Sequence, residues 1–582
     1  MPFFKRLTAG LAPAFALAVA VVAVAATPPA AHAADPVLLV TAPAALQAAE
    51  TSGAGFARWF GEAPGPGGIA SNQALARSPA WRSVSAPIAD SLAGLQRRDR
   101  QAGVGIARYP HRLFDARWLA SPDAFFELVG VANRMDRRPF QDGACGETRL
   151  VYRLAYRGAA MQSRLPMTVN VELRGDAPDA SGSCAGAAKR WQPPQAAMGD
   201  EALGRWLVSA EGPLAPQRLA LARIAQITTN LQSVRWPSAV RPDLGGHAEY
   251  MLRAFRWNAG TRRFDVAPLE NTPDVARLKA SAPLRHELLQ WLRQPAQLRA
   301  LDDATLRIPE KFLASESVSV APRGLERLAN QPFAQVFAAG EWQAVEGSRT
   351  LASPQAVLRR LDDLSCAGCH QSRAVAGFHL LGVDRRGASR TFTPGNALAV
   401  PHSPHVQDEL ARRAAYVQAA LSVARPDPFR PLAEPGAPDA APARATVGAR
   451  CEPTRITASA NPWLDRAQKL PRIACEGAGS VCETTSVGFP GGMCSGPCNA
   501  SDPNGTCGGI AILSDFNSCL AANKPFGDCL ARHTRPGNLR SCSAQQACRD
   551  DYICAQADGQ PEGRGACIPP YFLFQMRVDG HP

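Results

Sequence analysis

Polar and apolar side chains alternate along Arg149-Leu150-Val151-Tyr152-Arg153-Leu154-Ala155-Tyr156, and again along Met167-Thr168-Val169-Asn170-Val171-Glu172-Leu173. A period of two residues is typical of β-strands, because successive side chains of a strand point to opposite faces. The turn residues Arg157-Gly158 lie between the two stretches, which therefore predict an antiparallel hairpin of half-buried strands. A further strand is predicted at 250–257, where the chain leads into the turn Asn258-Ala259-Gly260.

Helical spacing of apolar residues occurs on both sides of these strands. Residues 34 to about 110 contain Ala-rich helical stretches, and a later helix is predicted from Leu284, Leu288, Leu289 and Leu292. Pro295 should end or kink that later helix. The predicted fold class is multidomain α+β, with a mixed α/β N-terminal domain with antiparallel strands at 34–340. The 582 residues are enough for about three or four domains.

Two isolated cysteines, Cys145 and Cys184, bracket the predicted hairpin. A disulfide between them would close a loop of about 39 residues, which loop-closure arguments value at roughly 3 to 4 kcal/mol. We expect this bridge to be structural, and a reactive thiol is the alternative.

The N-terminus has the pattern of a secretory signal peptide. Lys5-Arg6 precede an apolar run from Leu7 to about Ala26, and an Ala-x-Ala pattern ends at Ala33. We expect cleavage after Ala33, with an uncleaved membrane anchor as the alternative. No later apolar run approaches the roughly 20 residues that span a bilayer. The mature chain is therefore expected to lack an integral membrane segment and to be periplasmic or extracellular.

A motif with its own chemistry, Cys366-Ala367-Gly368-Cys369-His370, lies beyond the strand region. At this spacing two thiols can bond the vinyl groups of haem while the adjacent imidazole reaches the iron. Upstream, Ser353 is predicted to cap a helix that begins at Pro354. The apolar face of that helix contains Val357, Leu358, Leu361 and Leu364. The motif thus ends an amphipathic helix, in a mainly α-helical region predicted at 341–424.

The pentapeptide is similar to the haem-attachment site of c-type cytochromes. The resemblance covers little else of the chain, and it implies one covalent haem c bonded to Cys366 and Cys369, with His370 as proximal iron ligand. Small cytochromes c commonly supply a downstream Met as second ligand, but this chain has no Met between Met251 and Met493. His379, nine residues after His370, is the first candidate for the distal position.

Several alternatives to these haem assignments remain. His379 could equally be a pocket or surface histidine, and His402, His405, Met251 or an open sixth site are the other distal arrangements. The motif itself could be a dithiol redox site, a zinc site or a short-range disulfide. Haem propionates would find partners among Arg373, Arg385 and Arg386, because a guanidinium suits bidentate carboxylate recognition.

The C-terminal part has a different composition. A Pro/Ala-rich linker is predicted at 425–450, since such a sequence cannot bury a core. Residues 451–582 contain twelve of the sixteen cysteines, which predicts an irregular, disulfide-rich module in an exported protein. With Cys366 and Cys369 holding haem, every remaining cysteine can pair.

Charge and motifs narrow the function. The formal charge is +13, but no dense Lys/Arg block with interleaved aromatic residues is present, so nucleic-acid binding is not predicted. A basic surface instead favours an acidic redox partner protein. We expect an exported mono-haem cytochrome-like protein that transfers electrons. The alternatives are a haem enzyme or redox/gas sensor with an open distal site, and a secreted binding or structural protein that uses the Cys-rich module.

Overall fold

The computed structural model describes most of the chain from residue 34 to residue 430 and short pieces beyond. The described residues are 34–62, 69–101, 114–157, 162–195, 197–235, 247–320, 331–367, 398–399, 404–430, 444–445, 474–475, 479, 481–483, 493–495, 541–542, 553–557 and 565–568. The predicted signal peptide at 1–33 and most of the predicted linker and Cys-rich module lie outside these ranges.

An eight-stranded antiparallel sheet forms the centre of the described part. Its strands are β1 (Leu39–Val40), β2 (Ala124–Arg134), β3 (Glu147–Arg157), β4 (Gln162–Arg174), β5 (Ile224–Arg235), β6 (His247–Asn258), β7 (Arg263–Ala267) and β8 (Glu316–Val320). Neighbours follow chain order from β1 to β7, and β8 pairs with β6. The predicted hairpin is confirmed as β3 and β4, where Arg157 lies opposite Gln162. The strand predicted at 250–257 is confirmed within β6.

One face of this sheet, the apolar face, carries Leu150, Tyr152 and Leu154 of β3 and Val169 and Val171 of β4. It packs against aromatic residues from the preceding helical segments. The Phe56 ring lies 4.2 Å from that of Phe126 and 5.0 Å from that of Tyr152. The indole N–H of Trp59 donates to the Tyr152 hydroxyl at 2.9 Å, and that hydroxyl donates to the Ala54 carbonyl at 2.7 Å.

The opposite face, the polar face, carries Arg149, Val151 and Arg153 of β3 and Thr168, Asn170 and Glu172 of β4. These side chains are buried as well: Arg153 is 1% exposed and Asn170 is 2% exposed. The prediction of half-buried strands is therefore wrong at this point, since both faces of the hairpin are covered. Alternation reports which side chains share a face, and it does not report whether water reaches that face.

Ten helices are described. They are α1 (Pro43–Ala49), α2 (Asn72–Leu75), α3 (Pro79–Gln101), α4 (Ala185–Lys189), α5 (Asp200–Leu207), α6 (Val275–Ala280), α7 (Ala282–Leu292), α8 (Pro295–Asp302), α9 (Pro354–Leu364) and α10 (Pro404–Leu421). The predicted Leu284–Leu292 helix is confirmed as α7, and Pro295 starts the next helix. No helix among the described residues is both long and apolar enough to cross a membrane.

Helices and an antiparallel sheet together confirm the α+β class. A second apolar core joins α6 through α9, from Leu278 to Leu361, and so crosses the boundary predicted at residue 340. Tyr416, Val417 and Ala420 of α10 pack into the core of the sheet. The finer division into domains stays a prediction.

The predicted disulfide between Cys145 and Cys184 is present, with their Cα atoms 5.6 Å apart. Short strands occur farther along the chain. They are β9 (Leu398–Ala399), β10 (Arg444–Ala445), β11 (Ala474–Cys475), β12 (Val481–Glu483), β13 (Met493–Ser495), β14 (Ser541–Cys542), β15 (Ile553–Ala557) and β16 (Gly565–Ile568). Cys482 lies opposite Cys494 in one ladder, and Cys554 lies opposite Cys567 in another.

Candidate functional site

The helix that leads to the Cys-x-x-Cys-His motif forms as the sequence predicts. The Ser353 hydroxyl accepts a hydrogen bond from the Ala356 N–H at 3.1 Å, and Pro354 occupies the first turn of α9. Val357, Leu358 and Leu361 are buried on one face. A capped start and an apolar stripe are the features that stabilise a short helix against its neighbours.

Buried polar groups fix α9 in place. The Arg360 guanidinium donates to the carbonyls of Leu301, Asp302 and Arg430 at 2.7 to 3.0 Å. Asp362 accepts from the Phe333 N–H at 2.7 Å, and burial raises the pKa of Asp362 well above its usual value. These contacts determine where the residues after α9 lie.

The motif begins directly on the sheet. The Cys366 N–H donates to the hydroxyl of the buried Thr272 at 2.9 Å. The partly buried Cys366 packs against an apolar patch on the polar face, made of Leu252, Ala254, Ala267 and Leu269. The next residue, Ala367, is 1% exposed. The first two residues of the motif are thus held against the polar face by one hydrogen bond and by apolar contacts.

The other predicted site residues lie outside the described residues. They are Cys369, His370, Arg373, His379, Arg385 and Arg386. Their roles stay predictions, as do those of His402 and of the distal arrangement as a whole.

A row of short polar side chains lies next to the apolar patch that receives Cys366. Leu252 pairs with Asn230 across the ladder, and Asn230 pairs with Thr168. One strand position away, Ala254 pairs with Thr228, and Thr228 pairs with Asn170. We call Thr168, Asn170, Thr228 and Asn230 the polar row. The patch and the polar row are therefore continuous on one face.

The polar row is not saturated with hydrogen bonds. The Asn170 amide donates to the Thr228 hydroxyl at 3.0 Å. The side-chain oxygens of Thr168, Asn170 and Asn230 are buried, and no hydrogen bond to any of them is found among the described residues. Most buried polar atoms in proteins have a partner, so three such oxygens on one face call for an explanation. They provide acceptors, and in Thr168 also a donor, for a polar group of a ligand.

Buried charges continue the polar row toward the other end of the face. Arg149 donates to Glu147 at 2.6 Å, and one of its terminal nitrogens lies 3.7 Å from Glu172. The Glu172 carboxylate accepts from Gln226 at 2.9 Å and from the Thr228 hydroxyl at 3.0 Å. Thr228 thus joins the charged end to the polar row.

The two carboxyls flanking Arg149 differ in pKa. Burial raises the pKa of Glu147, but the charges of Arg149 and Arg137 outweigh this effect, so the pKa lies below its usual value. Burial raises the pKa of Glu172, and the nearby charge of Arg149 does not fully compensate. Glu172 is therefore the carboxyl of this group that can hold a proton more readily.

A second charged group is formed with α10. Arg412 donates to Asp136 and to Glu409, in each case at 2.7 Å. Arg134 also donates to Asp136, at 2.9 Å. Arg413 is 1% exposed, and no acceptor is found for its Nε and one terminal nitrogen. Burial, with a smaller contribution from the charge of Arg134, lowers the pKa of Arg413 to about 9.

Sequence reasoning found the helix, its cap and Cys366, but it missed the polar row and the charged groups. The only signal was the type of polar residue: Thr168 and Asn170 are short, whereas a solvent-facing strand more often carries long charged side chains. Among the described residues, no group of three or more His, Cys, Asp and Glu side chains is arranged to hold a metal ion.

Comparison with known proteins gives no relative from which function can be transferred. No protein-family model, curated protein or solved structure matches the chain.

Proposed function

We propose that the chain is an exported protein with one covalent haem c, which transfers electrons to or from a partner protein. In this proposal Cys366 and Cys369 carry the haem and His370 is the proximal ligand. His379 is the first candidate for the distal position, and Arg373, Arg385 and Arg386 are candidates for the propionates. When bound, the haem supplies one-electron redox chemistry at its iron.

The observation that supports the proposal best is the position of Cys366. It follows a rigidly held helix and lies against an apolar patch whose strand neighbours are polar. A porphyrin has an apolar ring and charged carboxylates, so a surface that is apolar at one end and polar or charged at the other fits it. The three buried oxygens of the polar row without described partners fit the same idea, because a bound group would supply their hydrogen bonds.

Covalent attachment can be tested on the purified mature protein. A denaturing gel stained for haem should show a coloured band for the wild-type chain, and Cys366→Ala combined with Cys369→Ala should abolish it. His286→Ala removes an exposed histidine and serves as the control for His370→Ala. We expect His370→Ala to change the visible spectrum and His286→Ala to leave it unchanged. A colourless wild-type band would exclude the proposal.

The distal position can be tested with small ligands of iron. If His379 binds the iron, CO or cyanide should bind slowly, and His379→Ala should make binding fast. An unchanged spectrum in His379→Ala would remove this histidine from the proposal.

A haem enzyme or sensor with an open distal site is the second candidate. The polar row favours it, since buried hydrogen-bonding groups near a haem could orient a ligand or substrate. Fast CO binding by the wild-type protein, altered by Asn170→Leu, would support this reading over electron transfer.

A further inference from the structure

A partly open cavity lies beside the Cys145–Cys184 disulfide, and every residue lining it is described. It measures about 420 Å³ with its open mouth included. Its charged lining is mostly arginine: Arg174, Arg190, Arg218 and Arg223, against Glu147 and Asp176. None of these residues is among those predicted to contact haem.

Three of the arginines contact a single carboxylate. Arg218 donates from Nε and from a terminal nitrogen to Asp176, at 2.9 to 3.1 Å. Arg223 reaches the same carboxylate at 3.3 Å and also donates to the carbonyls of Arg174 and Gly175 at 2.8 and 2.7 Å. The Nε atom of Arg190 lies 2.9 Å from Asp176. We call these three arginines and Asp176 the arginine cluster.

One carboxylate does not satisfy this cluster. Three positive charges face one negative charge, which leaves an excess of two. Glu147 does not make up the difference, because its carboxylate is hydrogen-bonded to Arg149 at 2.6 Å. Within the described chain no acceptor is found for one buried N–H nitrogen each of Arg190, Arg218 and Arg223. The pKa of Asp176, raised by burial but lowered more by Arg218 and its neighbours, lies below the usual value.

The geometry points to a binding site for a phosphate group in this cavity, held by the arginine cluster. Guanidinium groups match the oxygens of phosphate in a planar fork, and several of them around one cavity can contact one group. A phosphate dianion has the charge that the cluster lacks. The ligand is inorganic phosphate or a phosphate monoester, since the mouth of the cavity is open.

Titration calorimetry on the full mature protein tests this site with inorganic phosphate as the probe. We expect one saturable site. Arg190→Gln should weaken binding about tenfold to a hundredfold, the usual effect of losing a hydrogen bond to a charged group. Arg190 is the most exposed of the three arginines, so its variant is the least prone to misfold.

Two further variants separate this site from general charge effects. Arg205→Gln removes the same charge from an exposed ion pair with Glu201 and should change binding less than about twofold. Asp176→Asn removes the competing carboxylate and should tighten phosphate binding. Absence of saturable binding, equal weakening in Arg190→Gln and Arg205→Gln, or weaker binding in a folded Asp176→Asn protein would each overturn the proposal.

The ligand class is tested with methyl phosphate and succinate. Binding of methyl phosphate at least as tight as that of inorganic phosphate assigns the site to monoesters, and weaker binding assigns it to the free anion. Succinate binding as tight as phosphate would overturn the phosphate assignment. Haem content affects none of these readouts, so the outcome is independent of the proposed electron transfer.

Discussion

The two faces of the central hairpin are equally buried, but they are chemically opposite. On the apolar face, Tyr152 and Val169 lie among aromatic and aliphatic side chains, and the Tyr152 hydroxyl has partners on both sides. On the polar face, Thr168 and Asn170 are as deeply buried, yet oxygen atoms of both lack a described partner. The first face accounts for stability, and the second does not.

This difference teaches how to recognise a functional surface within a folded core. Burial of polar groups without partners costs free energy, so a protein keeps such groups where they serve another purpose. Cys366, the first residue of the one motif with its own chemistry, is held against this same face. The polar face is therefore where we expect binding, and the apolar face is where we expect the larger tolerance limits of an ordinary core.

The largest expected effect comes from breaking the charged end of the polar face. Arg149→Met leaves Glu147 and Glu172 buried without their shared cation. Removing one partner of a buried ion pair typically costs about 3 to 5 kcal/mol, and we expect a loss of that size in the free energy of unfolding at pH 7. Urea denaturation followed by circular dichroism measures it.

The pH dependence of that loss separates the two faces. Without Arg149 the folded-state pKa of both carboxyls rises, so the variant loses stability as the pH rises through their unfolded value. In the wild type the lowered pKa of Glu147 contributes stability that is present above the unfolded value and lost as the pH falls. The gap between wild type and variant should thus shrink from pH 7 toward pH 4.

Trp59→Ala on the apolar face is the matched control. It should also cost about 3 to 5 kcal/mol, because a buried indole is replaced by a cavity. Its loss should be the same at pH 7 and pH 4. Equal pH profiles for the two variants would contradict the distinction between the faces.

The sequence allowed the strands, the disulfide, α7 and α9 to be predicted, because each depends on local periodicity or on a cap. Burial of the polar face was not predictable in this way. Covering a face requires contacts between residues far apart in the chain, such as Thr272 with Cys366 and Arg412 with Asp136. The arginine cluster likewise joins residues 176, 190, 218 and 223, which no short motif connects.

Val169→Thr tests the apolar face with a nearly isosteric change. Val169 is fully buried, so the new hydroxyl would enter an apolar environment. We expect a loss of about 1 to 3 kcal/mol in the free energy of unfolding, the cost of burying an unpaired hydroxyl. A cost near zero in urea denaturation would show that this face accommodates polar groups after all.

Ser353→Ala tests how firmly α9 holds Cys366 on the polar face. The substitution removes the hydroxyl that caps the helix, so we expect a loss of about 1 kcal/mol. Ser353→Asp keeps an acceptor at the cap and should restore most of this stability. If the two variants unfold at the same urea concentration, the cap does not contribute to the position of the motif.

Thr168→Val is the reverse exchange on the polar face, one residue from Val169, and should have the smallest effect. Its hydroxyl oxygen is buried and has no described partner, so replacing it with a methyl group removes a desolvation cost and no described hydrogen bond. We expect an increase in the free energy of unfolding of less than about 1 kcal/mol in protein without haem. If haem or another polar group occupies this face, the same variant should instead lose stability in the loaded protein. A loss in both forms, as large as that of Val169→Thr, would mean that the hydroxyl is already bonded within the chain, and the proposed contrast between the two faces would fail.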